Sequence, residues 1–259
     1  MAGVIKIHGR FATYGELWID EEPPLDQQVD VLTFRLRPQP LEAKRCSVFL
    51  TLVNDLTGDD PINMVGFGNT NRYQIKRAES KDGLLHEFIT KPHAQLDEFC
   101  SFYDQFAKQK QLPGSYRRGL DAACDAGRLV LSAAVNNGQR LVWHAHIVSS
   151  GTAVLLHSAS HFRTKHSHRA LVGRANRWLH WRDMREFKRM ELCRYDWGGI
   201  FADEQVPAQA SVNDFKREFG GREHRAYTCV IAPTLKGRAY LTGLSLLRHV
   251  KRVCRMRPR

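Results

Sequence analysis

Two short stretches combine polar groups with glycine in a way that suits acyl or phosphate chemistry. They are Arg194-Tyr195-Asp196-Trp197-Gly198-Gly199-Ile200 and Asn213-Asp214-Phe215-Lys216-Arg217-Glu218-Phe219-Gly220-Gly221. Tyr195 and Trp197 suit a buried strand, and the glycine pair after them lets a ligand or another backbone come close. Phe215 and Phe219 stand four apart, on one face of a short helix, so Lys216 points elsewhere and Gly220-Gly221 ends the turn. A lysine beside a glycine-rich strand end can neutralise a phosphate or the charge that grows on an acyl oxygen. Asp196 has two readings. It orients an amine or takes its proton, or it accepts hydrogen bonds from backbone N–H groups at the strand end. A strand and a packed helix would explain the apolar residues alone, but would not require the Asp and the Lys.

The chain holds twelve histidines. His144 and His146 lie two apart on one strand face, and His157, His161, His166 and His168 follow. With no H-E-x-x-H and no Cys/His set, no metal site is expected. His144 or His146 is instead a candidate proton acceptor, or a histidine satisfied within the sheet. No Ser or Cys sits on a nucleophile elbow, which favours direct transfer without an acyl-enzyme.

The elements that must position these groups follow from turn signals and period. Val31–Leu36 and Ser47–Val53 are strand-like runs in a strand-rich front, with a loop over residues 21–26. A new unit opens near Asn71. Leu96, Phe99, Cys100, Tyr103, Phe106 and Ala107 share one helix face, and a second helix is expected over Ser115–Ala126 with Ser115 as N-cap and Gly127 as stop. Arg128–Val135, Gln139–Val148 and Thr152–Ser160 then read as an antiparallel meander. A third helix covers roughly Leu171–Met190. Its apolar residues and tryptophans read most simply as core. The strand Tyr195–Gly199 and a last strand, Ala226–Ala232, complete the order. The fold class expected is α/β (α+β), a mixed, mostly antiparallel sheet flanked by helices. Domains are expected at 1–67 (accessory lobe), 68–232 (main domain) and 233–259 (basic helical tail).

This order, with D-x-G-G at Asp196 and F-K-x-x-F-G at Phe215, resembles the Fem-type amide-forming transferases, a branch of the GNAT superfamily. Arg72-x-x-Ile75-x-Arg77-Ala78 is similar to a run that opens the second lobe of those enzymes. The resemblance covers about residues 68–232, with one GNAT-like lobe and without the coiled-coil arm of some relatives. It implies acyl transfer to an amino group, with acyl-CoA as co-substrate and no tightly bound cofactor, or aminoacyl-tRNA as the alternative donor. It implies a lysine at Lys216 that contacts phosphate or the reacting carbonyl, with Asp196, His144 and His146 as the other catalytic candidates. Arg169, Gly173, Arg174 and Ala175 would cradle the coenzyme, close to a known acyl-CoA signature but with the basic residue one position early, and Lys165 would add charge. An ordinary helix start with solvated basic residues is the competing reading. Arg72, Arg77, Tyr116, Arg117, Trp197 and Gly198 would meet the acceptor, an amino sugar of a surface polysaccharide or lipid-linked glycan being the class implied.

The net charge of +12 draws polyanions, whether nucleic acid, coenzyme phosphates or an anionic membrane, or serves solubility alone. A non-catalytic nucleic-acid-binding protein on the same scaffold is therefore a further reading. No window reaches ~18 apolar residues, and Met1–Arg10 lacks the apolar core of a signal peptide. Six cysteines without a C-x-x-C pair point to reduced thiols and a cytoplasmic location. The tail from Leu246 to Arg259 alternates apolar and basic positions at helical spacing, which suits peripheral contact with an anionic membrane or tRNA, or simple packing.

Overall fold

The computed structural model describes residues 3–22, 28–42, 45–161, 166–202 and 205–255. The chain falls into two compact units, Met1–Phe49 with Ala226–Arg259, and Leu50–Arg225. This differs from the boundaries expected at 67 and 232. Contacts, not composition, decide it: the final strand and helix rejoin the front of the chain.

The first unit contains β1 (Ile5–His8), β2 (Thr13–Trp18) and β3 (Val31–Arg37), with the end of β10 (Arg222–Ile231). β1 pairs antiparallel with β2, β2 parallel with β3, and β3 antiparallel with β10. Buried Leu17, Val29, Leu32, Phe34 and Cys229 form its core. Cys46 and Cys229 are joined in a disulfide, which corrects the expectation of reduced thiols. A pairing across 183 residues leaves no local spacing to read. Helix α6 (Leu235–Arg255) starts where the Thr234 hydroxyl donates to Asp30. The tail is thus helical as far as Arg255, the last residue described. Its side chains from Leu246 on lie outside the described residues, as do Lys165 and most of the expected 21–26 loop.

The second unit carries the candidate chemistry. β4 (Arg45–Asp55) leads into α1 (Asn69–Lys81), β5 (Leu85–Ile89), α2 (Leu96–Lys110) and α3 (Arg117–Asp125). Then follow β6 (Leu129–Asn136), β7 (Gln139–Ser149), β8 (Thr152–Ser160), α4 (His166–Arg189), β9 (Arg194–Gly199) and α5 (Pro207–Arg217). Its strand order is β4-β9-β8-β7-β6-β5, antiparallel throughout except that β8 and β9 run parallel. The mixed, mostly antiparallel sheet matches the expected class.

The meander turns as its sequence requires. Asn137-Gly138 and Ser150-Gly151 all have positive φ, the backbone of a tight primed hairpin turn. Alternation along β7 sends Trp143 toward Phe99 of α2 and His144 toward Asp183 of α4, so the two faces of the sheet meet different helices. α1 packs along α4.

Three details of the expected elements change. Tyr116, not Ser115, is the N-cap of α3; the Ser115 amide donates to Asp104 instead. α4 starts at His166, five residues before Leu171. α5 ends at Arg217, so Phe219 packs from the turn after it, its ring 4.5 Å from Trp197.

Candidate functional site

β8 and β9 pair only at Thr152–Val154 against Arg194–Asp196. The ladder ends there, but Gly198 of β9 still lies against the β8 backbone. Its φ is +69°, and a Cβ there would lie 2.8 Å from the Leu155 carbonyl oxygen. Only glycine allows so close an approach in that conformation. A cleft of about 480 Å³ lies along the second half of β8, lined by Ser158, Ser160, His161, Arg169, Asn176 and Phe106, with Gln109 and Lys110. The end of α2 supplies one wall and the first turns of α4 the other. Arg169 and Asn176 stand seven residues apart, hence on one face of α4.

Lys216 does not point into this cleft. Its ammonium donates to the carbonyls of Trp197 at 2.9 Å and Gly199 at 2.6 Å, fastening α5 to the end of β9. Burial pushes it down to about 8, and the nearby Asp196 opposes that shift. Asp196 is buried, accepts from the Thr51 hydroxyl, and accepts from the Gly198 amide at 2.8 Å. Burial pushes its carboxyl up, against those hydrogen bonds and the Lys216 charge. Trp197 is buried and donates to Asn54 at 2.7 Å, and Asn54 donates in turn to the Phe219 carbonyl. Asp196, Trp197, Gly198 and Lys216 therefore come together as a buried latch that holds the end of β9.

His144 and His146 lie in a second buried cluster, behind the cleft wall. Asp183 accepts from His144 Nδ1 at 2.8 Å, Ser132 at 2.9 Å and His86 at 3.0 Å. Burial pushes the Asp183 carboxyl up, but the bonds from His144 and His86 and the surrounding imidazoles outweigh it and hold it well below the usual range. His144 Nε2 meets the Asn176 carboxamide oxygen at 3.0 Å, and Asn176 lines the cleft. The Tyr195 hydroxyl lies 3.1 Å from His146 Nε2 and 2.8 Å from His180 Nδ1. Burial raises the phenol well above 10, so it keeps its proton and donates to one imidazole while accepting from the other. Burial also drives His146 down to about 3 and His180 well below the usual histidine range, so both are neutral.

The ligating atoms of His144, His146 and Asp183 lie within 4.8 Å of one another, a spacing a metal could use. The hydrogen bonds already fit, however. A cation would have to displace the His144–Asp183 contact and the Tyr195 bond in a fully buried space. The cluster reads as a hydrogen-bonded core, with His146 Nδ1 its one atom left without a partner among the described residues.

The other expected residues scatter. Ala175 is fully buried, and Gly173 lies in the second turn of α4, where its amide is already inside the helix. The free amides of α4 are those of residues 166–169, earlier than expected. Arg174 is held by Asp82 through two bonds, at 2.6 and 3.0 Å. Arg77, Arg169, Gly173 and Arg174 share a shallower groove of about 270 Å³ with Tyr73 and Gln74, between α1 and α4. Arg72 bonds to Asn69. Arg117 pairs with Asp97 and Asp121, joining α2 to α3 beside the exposed Tyr116, away from the cleft lining.

Sequence reading did not single out Asn176, His180 or Asp183. Their spacing of four and three places them on one helix face, which is the one signal the sequence carries for them.

No family model matches the sequence, and no curated protein matches it. Among solved structures, FemX superposes with a TM-score of 0.58 at 12% identity, over 74% of this chain and 63% of that one. This chain thus spans less than two thirds of FemX. The C-terminal DUF2156 domain of a lysylphosphatidylglycerol synthetase from Agrobacterium fabrum gives 0.55 at 14% identity, over 93% and 84% of the two chains. L-PGS from Bacillus licheniformis gives 0.54 at 11% identity, over 87% and 82%. The chain is similar to these proteins in fold, and the likeness to FemX agrees with the fold that its element order led us to expect.

Proposed function

We propose that this chain moves an acyl group from an activated donor onto an amine, in the cleft along the second half of β8. The observation that supports it is the polar cleft along the second half of β8, past the three positions at which β8 pairs with β9, with Arg169 of the α4 start in its lining. The free amides of residues 166–169, the helix dipole and Arg169 favour a phosphate at the mouth. Asn176 lies about 10 Å further along the same helix face, given the ~1.5 Å rise per residue. Phosphate at one end and a polar floor at the other suit a donor such as acyl-CoA. The amine nitrogen attacks the acyl carbon, the C–N bond forms, the C–S bond breaks, and the departing thiolate takes up the amine proton. Holding both partners in line and stabilising the oxyanion supply the rate. In this reading Lys216 and Asp196 are positioning residues, fixing the end of β9 beside β8. An amino sugar as acceptor is supported only by the sequence resemblance.

One observation favours aminoacyl-tRNA as donor instead. Arg72, Lys76, Arg77, Lys81 and Arg169 have no carboxylate partner among the described residues, and they lie on α1 and the adjoining start of α4. A polyanion would satisfy them. The test is thermal unfolding with coenzyme A, acetyl-CoA and bulk tRNA. A ligand that binds only the folded state raises the midpoint by mass action. A rise with acetyl-CoA supports the thioester donor, and a salt-sensitive rise with tRNA alone moves the donor to an aminoacyl ester. No rise with any of them contradicts the transferase reading.

A further inference from the structure

We propose that Asn176 is the hydrogen-bond donor to the acyl carbonyl oxygen in the cleft, its carboxamide locked in one sense by the buried His144–Asp183 pair. This rests on the reading of the cleft as an acyl-transfer site. The Asn176 Oδ1 atom is engaged from two sides, by His144 Nε2 at 3.0 Å and by the Ser158 hydroxyl at 3.4 Å. With the oxygen held, the two N–H groups of the carboxamide are left without a protein partner among the described residues, on a side chain that lines the cleft.

The lock has a physical cause. Asp183 is fully buried and ionised, so His144 Nδ1, 2.8 Å away, must donate to it. An oxygen opposite Nε2 is satisfied only if that nitrogen carries a proton as well. His144 then donates from both ring nitrogens, to Asp183 on one side and to Asn176 on the other. His86 bonds the other Asp183 oxygen at 3.0 Å. The chain Asp183–His144–Asn176 thus runs from the core to the cleft wall and leaves a polarised N–H pair facing outward. Such a preorganised donor is what an acyl oxygen gaining negative charge needs. Asn176 would touch the substrate, whereas His144 and Asp183 act through it.

The test uses the full chain labelled with ¹⁵N at histidine and asparagine, with coenzyme A and acetyl-CoA as probes. Near neutral pH both ring nitrogens of His144 should carry protons, with the signal assigned by its displacement in Asn176→Ala. Acetyl-CoA should move the Asn176 side-chain amide, and coenzyme A should not. Asn176→Ala should weaken acetyl-CoA about fivefold, as for loss of one hydrogen bond, and leave coenzyme A binding unchanged. A bare His144 Nε2 overturns the proposal, because the carboxamide would then turn its N–H inward. Equal responses of Asn176 to both probes, or unchanged acetyl-CoA affinity in the variant, overturn it too. If neither probe binds, the acyl-CoA reading of the cleft fails and takes this inference with it. That outcome stays distinguishable, because the state of His144 is read without any ligand.

Discussion

Replacing Lys216 by methionine separates a lysine that holds the fold from one that serves chemistry directly. The ammonium donates to two carbonyls of β9 and stands near the buried Asp196 carboxylate. Two terms oppose each other. Burial that pushes the amine from 10.5 to about 8 corresponds to about 3 kcal/mol, and the variant is relieved of it. Against this, two carbonyls lose their donor, at about 1–3 kcal/mol each, and Asp196 loses a cation whose removal from a buried pair costs about 3–5 kcal/mol. The second set, about 5–11 kcal/mol in all, exceeds the first, so a net loss of at least about 2 kcal/mol is expected. Denaturant unfolding should show it, and hydrogen exchange should place it, with amides of β9 and α5 opening first. Lys76, exposed on α1, is the matching control and should change stability by less than about 0.5 kcal/mol. A Lys216→Met protein as stable as the parent, with unchanged exchange in β9, would refute the latch and return Lys216 to the role of a free cation in the site.

Other outcomes follow from the same contacts. His146 titrates near 3 and His180 well below 6.5 when folded, whereas both take up a proton near 6.5 when unfolded. The unfolded chain therefore binds more protons as pH falls through 6.5 toward 3, and stability should drop with a slope that grows from about 1.4 kcal/mol per pH unit near 6.5 to about 2.7 below about 5.5; denaturant midpoints at pH 7, 6 and 5 check this, and a flat profile contradicts it. Gly198→Ala puts a Cβ against the Leu155 oxygen at positive φ, and should lower stability by about 2 kcal/mol or more with a corresponding fall in melting midpoint; an unchanged midpoint would mean that β9 does not approach β8 this closely. Reducing Cys46–Cys229, or substituting Cys229 by alanine, should destabilise the unit formed by residues 3–49 and 226–255 by about 2–4 kcal/mol, and identical melts with and without reductant would show the bond is not formed.

The hairpins of β6, β7 and β8 were legible to within a residue because Asn-Gly and Ser-Gly turns fix register locally. α2 was legible because its apolar face repeats at helical spacing. The start of α4 was not: His166 to Ala170 has no apolar period, and a helix start without a Ser, Thr, Asp or Asn read in the N-cap position gives little signal. The Asp196 and Lys216 motif was visible as chemistry, yet a sequence does not say which way a lysine turns once burial and carbonyl acceptors compete with a ligand. The His144 and His146 pair was visible too. Its partner Asp183 was hidden because a carboxylate on a core-facing helix stripe looks like a surface residue until the strand histidines are placed against it. The disulfide and the division into units depend on contacts remote in sequence, which local patterning does not encode.

The most direct test is a hydrogen-exchange footprint of acetyl-CoA on the full chain. If the cleft takes the acyl donor, protection should appear at residues 155–161 of β8 and its exit and at 166–176 of α4, and should weaken in Asn176→Ala. Protection confined to α1, or none at saturating acetyl-CoA, would contradict the account.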